Sequence, residues 1–457
     1  MSGDTDYTVT GGAHGIAADF DDMDATGSHI RQAGWDAGET ALATHSFLVD
    51  PNLLSSGLLS PGTLATFEKN LVTTLDGGDG LSANAVRMTG TGTFMQARAK
   101  AYAATDASLE HVEDIRQYAQ GVAFLGGTVT GVTIPVTAAT LYAQGFFDDP
   151  QKWMVEHPDL LEEIVASAPG ALDMLLPGYG YPFDTADAAG LLAALYDQEA
   201  GPLTASDPQV TELSADLGAA FVKLDAYAET VDGFGVEMVG EPPHQSYNIY
   251  LPGTKVFDGP LPAGPLSPDA LEESDTVQNL GTNFAGVNGA SNAYEQSVLA
   301  ALAELGVPPG APINLMGHSQ GGIIAARLAQ KMTDPASGYP QYNVTSVVTA
   351  GSPVDGIDLP DDVHMLSLVN EYDVVPRLDG EHYDDHSNHT TIVTEVQEDS
   401  VEANHSMTNV YVPMAQDIAA MSGTPDADPA VVDALSQLDG FFGPGASLTY
   451  DFVMSRP

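Results

Sequence analysis

Ile313, Asn314, Leu315 and Met316 form a short buried-strand pattern that runs directly into Gly317-His318-Ser319-Gln320-Gly321-Gly322. The residues that follow, Ile323, Ile324, Ala325, Ala326, Leu328 and Ala329, have helical spacing. Strand, sharp turn and helix therefore meet at one serine. Gly317 and Gly321 carry no side chains, so the chain can turn tightly and present the Ser319 hydroxyl, as in a nucleophile elbow. In a chain with 47 glycines the letters Gly-x-Ser-x-Gly alone mean little, and it is the flanking strand and helix that give them weight.

At 457 residues the chain is long enough for two or three cores. Its 43% apolar content suits folded domains. Lys and Arg together number 13 against 63 Asp and Glu, a net charge of −50 that repels phosphate backbones and argues against nucleic acid as a partner. With no cysteine, disulfides, thiolate nucleophiles and Cys-based zinc sites are excluded. Residues 1–12 show neither the basic nor the apolar region of a Sec-type signal peptide.

Ile16, Phe20, Met23, Gly27, Ile30, Gly34, Ala37, Ala41, Thr44 and Leu48 follow one another at alternating steps of four and three, a heptad seam. After a Pro/Ser/Gly-rich turn at 51–62 the steps resume from Leu64 through Leu71, Leu81, Ala85 and Met95 to Tyr102. Two long helices packed antiparallel are expected, with Gly77, Gly78 and Gly80 as candidate breaks in the second. Tyr102 and Asp106 form a Tyr-x-x-x-Asp at the end of this second helix, and Trp35 lies in Gly34-Trp-Asp-Ala-Gly38. The arrangement resembles the WXG100-like hairpins exported by type VII secretion systems. The resemblance implies that 1–110 is an export module, with Tyr102 and Asp106 as its signal and the secretion machinery as a partner. It departs from the family in placing the tryptophan within the first helix and in lacking the W-x-G spacing.

Residues 111–235 read as an apolar segment followed by a helical connector or cap, punctuated by Pro169, Pro177, Pro182, Pro202 and Pro208. Between Gln117 and Phe147 there is no charged residue, a span long enough for a bilayer but diluted by Gly, Thr and Pro. It is expected to be buried between domains, with membrane contact as the alternative.

From Val236 the pattern changes to short β-rich runs at 247–251, 313–316, 345–350, 365–369 and 391–396, with helices at 294–305 and 322–332, as an open α/β sheet requires. This order, together with Ala350-Gly-Ser-Pro353 and Tyr372-Asp-Val-Val-Pro376, resembles the second half of the α/β-hydrolase fold, and bacterial lipases and esterases within it. The fold class expected is thus α/β, with a hydrolase sheet over 236–457 preceded by an all-α hairpin module. A serine hydroxyl needs a base and an orienting acid, and the fold places them in the order Ser, Asp or Glu, then His. Asp373, on the loop after the 365–369 strand, is the expected acid and Glu371 its local rival. His405, beyond the last strand, is the expected base. His382, His386 and His389, with Glu381, Asp384 and Asp385, form an alternative metal cluster that reads better as a solvated turn. The oxyanion donors expected are the backbone N–H of Gln320 and that of Thr254 or Lys255, where Gly253 lets the chain approach. His318 is expected to point away. The Pro/Gly-rich stretch 256–292 is either a lid or a packed surface loop.

These readings converge on a serine ester hydrolase working through an acyl-enzyme on a small or lipid acyl ester, with no cofactor and no metal. Thioesterase or amidase activity is the nearest enzymatic alternative, and a binding protein on a degenerate hydrolase scaffold is the rival from another class. The expected location is secreted or in the cell envelope, with the cytoplasm as alternative.

Overall fold

The computed structural model describes residues 7–11, 20–49, 53, 60–76, 80–82, 84–85, 87–89, 91, 150–157, 162, 165–166, 184–194, 196, 198–255, 276–381, 387–421, 424 and 427–457. The chain divides into two compact units, residues 18–113 and residues 1–17 with 114–457.

In the first unit, α1 (Phe20–His45) is followed by a 3-10 turn and by α2 (Pro61–Asp76). Burial on α1 follows the heptad seam: Gly27, Gly34 and Ala41 are buried, while Ile30, Ala37 and Thr44 are half-buried. The small residues have a physical role, since a Cβ on Gly34 would lie 2.9 Å from the Ala85 carbonyl oxygen and closer still to Thr89. Trp35 is 65% exposed. α2 ends at Asp76, directly ahead of Gly77. Tyr102, Asp106 and the uncharged stretch 117–147 lie outside the described residues. Among the described residues no helix is long and apolar enough to cross a membrane.

The second unit is a mixed α/β structure around one ten-stranded sheet. Its strands are β1 (Thr8–Gly11), β2 (Thr204–Ala205), β3 (Gln209–Glu212), β4 (Gly233–Val239), β5 (Ser246–Leu251), β6 (Pro312–His318), β7 (Asn343–Ala350), β8 (His364–Asn370), β9 (His389–Thr394) and β10 (Ala446–Val453). The order is β1-β9-β8-β7-β6-β5-β4-β10-β2, with β3 also pairing β10. From β5 to β9 all neighbours are parallel, and the flanking pairs are antiparallel. The five parallel strands are those expected from sequence. The antiparallel flank is wider than expected, because β2, β3 and the start of β4 come from the stretch read as connector. β1 comes from the N-terminal stretch read as hairpin.

Among the described residues the helices of this unit are α3 (Pro150–Glu156), α4 (Thr185–Ala193), α5 (Leu217–Tyr227), α6 (Leu280–Asn288), α7 (Ala293–Glu304), α8 (Gln320–Thr333), α9 (Val401–Asn404), α10 (Val412–Met421) and α11 (Pro429–Ser436). Side chains dictate several of their starts: Asp184, Asp216, Asn279, Asn292 and Asp428 each accept a hydrogen bond from an N–H of the first turn. Strand alternation then sends Ile313 and Leu315 of β6 to one face, where they pack with Val298, Ile324 and Leu328 of α7 and α8. Met316 goes to the other face, among Phe221, Tyr411, Met414 and Val431. Several polar strand residues on the buried faces are paired across the sheet. Asn248 Nδ2 donates to Glu237 Oε2 at 3.1 Å, Asn314 Nδ2 to Asn248 Oδ1 at 3.0 Å, and Ser346 Oγ to Asn314 Oδ1 at 3.0 Å.

Candidate active site

Because β5 to β9 are parallel, the segments that leave their carboxyl ends emerge along one edge of the sheet, which is where open α/β sheets bind ligands. Along this edge lie Pro252 to Lys255 after β5, Ser319 after β6, Gly351 to Pro353 after β7, Asp373 after β8 and His405 after β9.

Ser319 is the residue between β6 and α8, with φ 55° and ψ −125°. Among the described residues only Ser319 and Asp232 combine a side chain with positive φ. Such a backbone costs on the order of 1–3 kcal/mol and persists only where its surroundings enforce it. The surroundings here are glycines. A Cβ on Gly317 would overlap the Gly321 carbonyl, and one on Gly321 would overlap the carbonyl oxygen of Leu251. Gly321→Ala is therefore expected to lower stability by about 3 kcal/mol, read as a fall in the thermal midpoint, whereas Gly310→Ala, where a Cβ meets nothing within 4 Å, should leave the midpoint unchanged.

Ser319 differs from the other helix-capping side chains in one respect that matters for chemistry. It stands at the N-cap of α8, yet its hydroxyl makes no capping hydrogen bond. Among the described residues the oxygen is left unengaged, and the N–H of Gln320, first in α8, has no carbonyl a turn earlier to bind. Gly253 packs against this turn, its missing Cβ position 2.8 Å from Ser319 Cβ. The next residue, Thr254, is tied to α6 through Asn283 Nδ2, which donates to Thr254 Oγ1 at 2.9 Å, and among the described residues the Thr254 N–H finds no acceptor. The Lys255 N–H does: it donates to the Gln278 carbonyl at 2.8 Å. Of the two donors considered from sequence, the geometry leaves Thr254 available. The Gln320 side chain turns away to donate from Nε2 to the Asn279 carbonyl at 2.7 Å.

Asp373 and His405 are brought together, with Asp373 Oδ2 2.6 Å from His405 Nδ1. Asp373 is fully buried and the His405 side chain is 18% exposed. Two asparagines fasten the loops that carry them. Asn370, at the end of β8, donates from Nδ2 to the carbonyls of Val396 at 2.9 Å and Asn404 at 3.1 Å, and its Oδ1 accepts from the Val396 N–H. Asn404, next to His405, accepts from the Glu398 N–H and donates to the carbonyls of Glu398 and Ser400. Glu371 is engaged elsewhere: its Oε1 accepts from Arg377 Nη2 at 2.8 Å, while Arg377 Nη1 reaches Glu162 Oε2 at 2.7 Å. Among the described residues no hydrogen bond joins Ser319 Oγ to His405, and the contact between their segments lies one residue before the serine. His318 Nε2 lies 3.1 Å from the His405 carbonyl oxygen, and the two rings have centroids 4.6 Å apart.

His318 thus does not point away from the site. Strand alternation puts it on the same face as Met316, which packs with Tyr411, and its ring lies beside those of His405 and Tyr411. Burial, and then the neighbouring His405 ring, push its pKa well below the usual imidazole value, so His318 stays neutral. Since a carbonyl only accepts, the proton of neutral His318 sits on Nε2 and is donated to His405 O. His389 is not part of a solvated turn either. It opens β9, is buried, and meets Ser367 Oγ through Nε2 at 2.8 Å. His382, His386, Asp384 and Asp385 lie outside the described residues, as does 256–275, most of the stretch read as lid or surface loop. Among the described residues no group of His, Asp and Glu is arranged to hold a metal ion.

Tyr411 was not legible as a site residue. It lies in a π-helical turn, Met407–Tyr411, and its hydroxyl donates to Asp373 Oδ2 at 2.5 Å. Comparison of the chain with family models, with curated proteins and with solved structures finds no match.

Proposed function

We propose that this chain is a serine ester hydrolase of α/β-hydrolase type, with Ser319 as nucleophile, His405 as base and Asp373 as the acid that orients it. The observation that carries the reading is the conjunction of a serine held at positive φ between a parallel strand and a helix with an Asp373–His405 pair 2.6 Å apart at the same sheet edge. In this reading His405 takes the Ser319 proton through Nε2, Ser319 Oγ attacks the ester carbonyl, and the Gln320 and Thr254 N–H groups receive the oxyanion. His405 then protonates the leaving alcohol, and water releases the acid from Ser319 by the reverse sequence. Nothing in this sequence calls for a metal or a cofactor. The experiment is a chain-length series of acyl esters, with a thioester and an amide of the same acyl group beside it. Ester turnover that survives chelator treatment supports the reading, and preference for the thioester or amide redirects it to those classes.

The seam of small residues on α1 supports a second proposal, that the N-terminal unit is an export module of WXG100-like type acting on an enzyme destined for the envelope or medium. Tyr102→Ala combined with Asp106→Ala should lower secretion by the native host while hydrolysis in lysates persists. Unchanged secretion would remove the export reading.

A further inference from the structure

The carboxylate oxygen that holds the base is shared. Asp373 Oδ2 accepts from His405 Nδ1 at 2.6 Å and from the Tyr411 hydroxyl at 2.5 Å, while Oδ1 accepts from the Val375 N–H at 2.9 Å. Tyr411 is fully buried, and its oxygen also receives the Asn370 N–H at 3.4 Å. An oxygen that accepts from an N–H directs its own proton elsewhere, and the carboxylate beside it is the acceptor. The turn that delivers the ring is built for the reach. The N–H groups of Val410 and Tyr411 both bond to the Ser406 carbonyl, at 3.0 and 3.3 Å, which widens the helix by one residue immediately after His405. Gly351 completes the fit, since a Cβ there would lie 2.8 Å from both Asp373 Oδ2 and the Tyr411 oxygen.

We propose that Tyr411 is a positioning residue for the catalytic pair: it fixes the Asp373 carboxylate and withdraws part of the charge that His405 draws on. The proposal rests on the triad reading above and adds to it a group that touches neither substrate nor nucleophile. A phenol that donates to the acid shares the negative charge that an imidazolium at His405 would draw on, while it holds the geometry. Other titratable or charged groups lie around His405 among the described residues. His318, neutral, faces it from the end of β6, Lys255 acts on His318 across the turn, and Glu402 is exposed on its own segment. Lys152 and Glu156 of α3, which packs against α9, pair with each other at 3.7 Å, and Asp225 of α5 is held by Thr408.

Tyr411→Phe keeps the ring and removes the donor. In the full chain the acid limb of the kcat/KM profile should move to higher pH by about half a unit to one unit, with kcat on the plateau reduced and KM unchanged. A purely structural role would lower activity equally at every pH and leave the limb in place, and that result would overturn the proposal. Proton NMR supplies a readout that needs no substrate. The wild-type protein should show two far-downfield resonances, from the His405 Nδ1–H and the Tyr411 hydroxyl. The second should vanish in Tyr411→Phe while the first moves further downfield, and both should vanish in Asp373→Asn. If the wild-type chain turns over no ester but the resonances behave this way, the functional reading fails and the coupling stands. If it is active and Tyr411→Phe leaves both the limb and the Nδ1–H resonance unmoved, Tyr411 has no such role. Should Tyr411→Phe fail to fold, a wild-type spectrum without a phenolic resonance that depends on Asp373 would overturn the proposal by itself.

Discussion

Ser319→Ala is expected to abolish ester hydrolysis, by about five orders of magnitude or more, while leaving the thermal midpoint within the error of the measurement. The two halves of this expectation have separate causes. The loss follows because the proposed triad would act as a unit, and what remains without the nucleophile would be the contribution of the oxyanion site and of binding. For the same reason His405→Ala should cost about as much, and the double substitution little more than either alone. Stability should persist because the Ser319 hydroxyl makes no capping hydrogen bond, so removing it leaves no partner unsatisfied. Alanine also bears the φ of 55° as well as serine does, and the strain enforced by Gly317 and Gly321 is unchanged. Retained turnover in a correctly folded Ser319→Ala protein would place the nucleophile elsewhere.

The next largest effect is expected at the proposed acid, where two carboxylates two residues apart have different partners. Asp373→Asn removes the oxygen that accepts from both His405 and Tyr411 and puts a donor or a neutral amide oxygen in its place. Turnover should fall by about 10⁴-fold, as when a triad base loses its orienting charge. Glu371→Gln should keep kcat within a few-fold of the parent. It weakens an ion pair with Arg377, whose guanidinium is buried and also bound to Glu162, so its cost should appear as lowered thermal stability. Measured together, kcat and thermal midpoint separate the two residues. A larger loss of kcat from Glu371→Gln than from Asp373→Asn would transfer the role of acid.

Much of this site was legible because its parts follow local rules. The elbow is written in consecutive residues, a strand, two glycines at fixed offsets and a helix. Asp373 and His405 are identified by where they stand relative to strands that alternation reveals. Thr254 follows from its place after β5, although the choice between it and Lys255 needed the hydrogen bond from Lys255 N–H to Gln278. What escaped depends on contacts distant in sequence. β1 pairs with β9 across most of the chain length, and β3 and β10 find each other across about half of it, so no local window contains either pairing. The β10 alternation of Leu448, Tyr450 and Phe452 was present in the sequence and marks a strand as clearly as the five that were read. Tyr411 was hidden by the π turn, because regular helical spacing from His405 would aim a different residue at Asp373. His318 could have been placed by applying strand alternation one residue beyond Met316.

The central claim is that Ser319 is an activated nucleophile, and covalent labelling tests it most directly. The full chain treated with an alkyl fluorophosphonate and digested for mass spectrometry should carry one adduct, on the peptide containing Ser319. Labelling should collapse in His405→Ala and Asp373→Asn, because an unassisted serine reacts slowly with such reagents. Absence of an adduct on Ser319 in the folded wild-type protein, or equal labelling when His405 is removed, would contradict the account.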